Sequence, residues 1–79
     1  MHIQKGSIVR ALAGRDKDNF FVVLATEGAY ATIADGKRRQ IGHPKRKKLK
    51  HLAPTHTVYN GSLETNPQIR QAIREFIGG

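Results

Sequence analysis

A mainly β fold, a small antiparallel barrel with one C-terminal α-helix, is what this sequence predicts, on three observations. Short apolar runs separated by turn residues crowd the first fifty or so positions. A stripe of helical period closes the chain, and the links between the apolar runs are short and carry Gly, Asp and Asn. A chain of 79 residues makes one small domain with a modest core. It has no cysteine, so neither disulfides nor thiolate metal sites support it, and a cytoplasmic location is the simplest expectation.

Ser7 to Ala13 (SIVRALA) alternates as a strand does, with Ile8, Arg10 and Leu12 on one side and Val9, Ala11 and Ala13 on the other. Phe20 to Thr26 (FFVVLAT) is a continuous β-branched and aromatic run, the pattern of a strand covered on both faces. Ala29 to Ala34 (AYATIA) alternates again, setting Tyr30, Thr32 and Ala34 against Ala29, Ala31 and Ile33. The links are short: Gly14 to Asn19 combines a glycine with Asp and Asn, while Glu27-Gly28 and Asp35-Gly36 are hairpin signals. A fourth strand is expected over Arg38 to Ile41 and a fifth near Leu49 to Ala53, flanking a basic loop. Five such strands hide their edges by curling into a small barrel.

The chain beyond residue 55 changes character. Asn66 suits an N-cap and Pro67 the first helical position, and Gly78-Gly79 ends the run. Ile69, Ala72, Ile73, Phe76 and Ile77 fall on one helical stripe, with Gln68, Arg70, Gln71, Arg74 and Glu75 opposite. The expected organisation is a barrel over residues 1–55, a polar linker over 56–65 and a helix over 66–78 packed on the barrel.

Charge carries the functional signal. Of 14 Lys plus Arg, eight lie between residues 37 and 50 (Lys37, Arg38, Arg39, Lys45, Arg46, Lys47, Lys48 and Lys50), with no carboxylate among them. The six that remain equal the six Asp plus Glu, so the whole net charge of +8 belongs to that segment. A localised cationic patch is the footprint of a polyanion partner, most often nucleic acid. The segment is held by Ile41 before it and Leu49 and Leu52 after it, and Pro44 stiffens it, so a structured, ligand-facing surface is expected. The competing readings are a merely solvated loop and, because PKRKK has the composition of a nuclear-import signal, an address label.

Residues 5 to 23, KGSIVRALAGRDKDNFFVV, resemble the KOW motif of ribosomal proteins and transcription elongation factors. Gly6, Ile8, Val9, Gly14, Lys17, Val22 and Val23 occupy the motif's places, and Asp18 and Phe21 stand where many such motifs carry further glycines. Gly14 suits a sharp turn at positive φ. The resemblance continues through ATIADGKRRQIGHPKRKKLKHLAPT, which is similar to small bacterial KOW-domain RNA-binding proteins. These in turn resemble a KOW-containing large-subunit ribosomal protein family of archaea and eukaryotes. It covers residues 3 to 55 and implies an SH3-like barrel whose partner is structured RNA, ribosomal RNA foremost, with ribosomal proteins as possible neighbours. The resemblance places Arg15 and Lys17 among the RNA contacts, where Asp16 and Asp18 offset their charge or shape the turn.

The expected RNA-binding residues are therefore Arg15, Lys17, Lys37, Arg38, Arg39, Lys45, Arg46, Lys47, Lys48 and Lys50. Arginines fork onto phosphate or stack on bases and lysines act as point charges, so backbone and shape rather than sequence would be read. Tyr30 and Phe20 are further stacking candidates, Phe20 being better explained as core. No metal, cofactor or small-molecule substrate is implied. Asp16, Asp18 and Glu27 mimic a calcium loop, but Phe20 and Phe21 fill its ligand and glycine positions. Gly36-Lys37 lacks the other parts of a phosphate-binding loop, and the four histidines show no zinc spacing. No arrangement of carboxylates or nucleophiles suggests an enzyme. FFVVLA is too short to span a bilayer, and no membrane partner is expected. A protein-interaction module, using the barrel or the helix stripe, is the alternative.

Overall fold

In a computed structural model that describes residues 2–79, the chain forms a five-stranded antiparallel sheet with one C-terminal helix. The strands are β1 (Ser7–Ala11), β2 (Phe20–Glu27), β3 (Tyr30–Ala34), β4 (Lys45–Lys48) and β5 (Leu52–Val58), and the helix α1 runs over Asn66–Gly78. A single 3-10 turn, Leu49–His51, joins β4 to β5. Hydrogen-bonded neighbours follow the order β4-β3-β2-β1-β5, so β4 and β5 are the two outer strands of a strongly curled, SH3-like sheet.

The doubly apolar β2 run is explained by two core layers. Phe21 and Val23 join Val9, Ala11, Ala31, Ile33 and Leu52 inside the curl of the sheet. Val22, on the opposite face, joins Ile8 and Ala34 beneath Leu63, Ile69 and Ala72. The helix is thus the lid of the outer layer, and its stripe of Ile69 and Ala72 is fully covered. At roughly 1.5–3 kcal/mol for each large apolar side chain removed from water, Ile69 with Ile8 and Val22 makes this second layer a substantial share of a small domain's stability.

Three local expectations change. No strand forms over Arg38 to Ile41; the fourth strand is instead Lys45–Lys48, inside the segment read as a loop. Its pairing, Tyr30 with Lys48 through Ile33 with Lys45, is made by backbone groups, which is why four consecutive cations can form a strand. The fifth strand runs on to Val58, through residues assigned to the barrel's end and to a linker. There the register against β1 shifts between Ser7 and Val9, and Thr55 Oγ1 donates to the Ile8 carbonyl at 2.7 Å in place of a regular ladder bond. The helix cap, finally, is Thr65 rather than Asn66. Thr65 and Gln68 form a reciprocal capping box and Pro67 lies within the first turn. Among the described residues no helix is long and apolar enough to cross a membrane.

Candidate nucleic-acid interface

The ten cations singled out in the sequence lie on three neighbouring pieces of chain: the β1–β2 turn, the long connection between β3 and β4, and β4 with the 3-10 turn. Hydrogen bonds tie these pieces together. Lys47 Nζ donates to the Ala13 carbonyl at 2.7 Å, joining β4 to the β1–β2 turn across 34 positions of sequence. Arg39 Nη2 donates to Asp16 Oδ2 at 2.9 Å, joining the connection to the same turn. The turn itself needs positive φ at Gly14 (+81°) and at Asp18 (+71°). Asp18 is held by Arg10 Nη1 at 3.0 Å.

The 35–44 connection is pinned along its length. Asp35 Oδ1 accepts from the Lys37 and Arg39 amides at 2.8 and 2.9 Å, closing a side-chain turn. Gly36 (φ +79°) lies so close to α1 that an added Cβ would sit 2.6 Å from the Asn66 carbonyl oxygen. Asn66, freed from capping, accepts the Ile41 amide through Oδ1 at 2.7 Å, and Arg70 Nη1 donates to the Gly36 carbonyl at 2.7 Å. Ile41 and Leu49 pack against the outer and inner layers respectively.

These ties divide the ten cations into three groups. Arg39 and Lys47 direct donors inward: the Asp16 side chain is only 4% exposed, and Arg39 Nε is buried with no hydrogen-bond partner. Arg46 holds its guanidinium 4.1 Å above the Tyr30 ring and, at the limit of an ion pair, 4.0 Å from Glu27. Arg15, Lys17, Lys37, Arg38, Lys45, Lys48 and Lys50 are exposed and, among the described residues, their side chains make no hydrogen bond or ion pair. The aspartates expected to offset the β1–β2 turn are committed to Arg39 and Arg10, which leaves Arg15 and Lys17 unopposed by them. Phe20 is half-buried with its ring centroid 5.1 Å from that of Phe76, while Tyr30 carries Arg46.

Sequence reasoning missed Arg70 and Arg74. They sit on the polar side of α1, one turn apart, and line a cleft together with Lys37 and Arg38. The signal was present: two arginines at i and i+4 with no carboxylate between them on that face, since Glu75 is bonded to Gln71. Comparison of the chain with protein-family models and with curated proteins returns no match.

Proposed function

We propose that this protein is a non-catalytic RNA-binding module that grips phosphate through β4 and the two loops tied to it, reading backbone and shape rather than base sequence. The observation that carries the reading is the division of labour among the cations. Arg39 and Lys47 brace the surface from within, and seven others stand exposed on the braced elements with no side-chain partner among the described residues. A fixed scaffold loses little backbone freedom when phosphates arrive at its unpaired cations, and their binding releases counterions from the nucleic acid. The resemblance of residues 5–23 to KOW motifs selects RNA over other polyanions and supports a ribosomal RNA partner, met in the cytoplasm. A protein-docking role for the whole helix stripe would need it open, whereas Ile69 and Ala72 are buried against the sheet and the exposed part is its C-terminal end at Ile77.

The test is salt-dependent binding to a structured ribosomal RNA fragment, comparing the natural chain with a variant carrying Lys45→Ala, Arg46→Ala, Lys48→Ala and Lys50→Ala. Lys47 is left in place because of its bond to Ala13. Each phosphate contact contributes about 0.7–0.9 to the slope of log affinity against log salt, so losing four should flatten it by about 3. An unchanged slope and affinity would reject this surface as the binding site.

A further inference from the structure

A cleft of about 600 Å3 opens between α1 and the sheet, at the edge of the surface just described. Its apolar part is formed by Phe20 from the start of β2 and by Ile73 and Ile77 from the helix. Ile77 is 66% exposed, the most exposed large hydrophobic side chain among the described residues. The rim carries four cations: Lys37 and Arg38 from the β3–β4 connection, and Arg70 and Arg74 from the helix.

Charge decides what this cleft can accept. Two carboxylates, Asp18 and Asp35, also line it, and both already have partners. Asp18 Oδ1 pairs with Arg10, and Asp35 Oδ1 accepts two backbone amides. The cations are less committed. Lys37 and Arg38 have no side-chain partner among the described residues, Arg74 donates only to Gln71 Oε1, and Arg70 gives Nη1 to the Gly36 carbonyl, which fixes its fork beside the connection.

We propose that the cleft takes one unpaired nucleotide of a bound RNA, its base against Phe20, Ile73 and Ile77 and its flanking phosphates at Lys37, Arg38, Arg70 and Arg74. This rests on the RNA-binding reading and assigns it a second contact, distinct from the β4 surface. The volume falls within the usual range of ligand sites. Three guanidiniums on the rim match the geometry of phosphate oxygens, and an aromatic ring flanked by aliphatic side chains suits a base face. The two carboxylates separate this occupant from an acidic peptide. Their free oxygens accept from the amines of bases, donors that acidic side chains do not offer.

The experiment is an NMR titration of the isotopically labelled full chain with a short single-stranded oligocytidylate and, separately, with a blunt RNA duplex. The single strand is expected to move the Ile73 and Ile77 methyl and Phe20 ring resonances saturably. The variant Arg74→Ala with Ile77→Ser, at two cleft residues outside the β4 surface and its tied loops, should weaken single-strand binding about tenfold or more, while the duplex, held by β4, loses about threefold at most. If both RNAs move only resonances of β4 and its flanking turns, the cleft assignment is overturned and RNA binding stands. If neither RNA moves any resonance, both readings fall. If a polyglutamate peptide moves Ile73 and Ile77 and the single strand does not, the nucleotide is overturned as occupant in favour of an acidic protein segment.

Discussion

Replacing Arg39 by methionine tests whether this cation is structural. Arg39 meets Asp16 at 2.9 Å, with the two side chains 29% and 4% exposed. Methionine keeps much of the aliphatic length and removes the charge, leaving the Asp16 carboxylate buried and unpaired. Breaking a buried pair in this way costs about 3–5 kcal/mol. Two features lower the figure: the guanidinium is nearly one third exposed, so water reaches the vacated site, and the substitution also removes Nε, a buried donor with no partner. A loss of about 2–3 kcal/mol follows, against about 4–12 kcal/mol for a domain of this length. At about 4–8 °C per kcal/mol, Tm should fall by about 10–20 °C. Urea and thermal unfolding followed by circular dichroism would measure it. Pairing Arg39→Met with Asp16→Asn in a double-mutant cycle should recover at least about 1 kcal/mol, because the amide needs no counter-charge. RNA affinity, measured where the variant is fully folded, should fall less than for Lys48→Ala. A loss under about 0.5 kcal/mol, or a coupling energy of zero, would refute the claim that Arg39 braces the surface.

The other expectations concern how the helix is seated. Gly36→Ala places a Cβ at φ +79°, 2.6 Å from the Asn66 carbonyl oxygen and 2.8 Å from Arg70 Cγ, so strain and displacement together should remove about 2–4 kcal/mol in urea unfolding. An unchanged midpoint would show that the connection does not rest on the helix. Ile69→Ala, at a site with no exposure, should destabilise by about 2–5 kcal/mol with an unaltered denaturant slope, and a loss below 1 kcal/mol would mean that the outer layer contributes little. Thr65→Ala removes the cap and should cost about 1 kcal/mol, visible as faster amide exchange at Gln68 and Ile69. Equal exchange rates in the two proteins would count against the capping box.

What could be read from the sequence was whatever local pattern dictates. Phe20 to Thr26 declared a strand, covered on both sides over Phe21–Val23 but exposed at Ala25 and Thr26, and the stripe from Ile69 to Ile77 declared a helix, because burial imposes a pattern on apolar residues. Gly14 and Gly36 announced turns because their backbone conformations are ones that side chains resist. The outer strands were poorly legible for the opposite reason, the fourth being placed elsewhere and the fifth found only at its start. Lys45–Lys48 carries no apolar alternation, and Leu52–Val58 contains Pro54 and a register shift, so neither shows the pattern that a central strand must. The site divides in the same way. Composition located the cationic segment, but pairing Arg39 with Asp16 and Lys47 with the Ala13 carbonyl required tertiary geometry. The same holds for Arg70 and Arg74, which read as ordinary helix surface until the β3–β4 connection is laid beside them.

The position of Lys45–Lys48 at the margin of the sheet bears on how copies of the molecule behave towards one another. An unsatisfied strand margin invites a second copy to zip onto it, and a row of like charges there forbids the approach by mutual repulsion. That safeguard lasts only while the charges stay uncompensated. A long polyanion that neutralises them also lifts the barrier to self-association, so preparations carrying residual nucleic acid should cluster, and nuclease treatment at low ionic strength should disperse them.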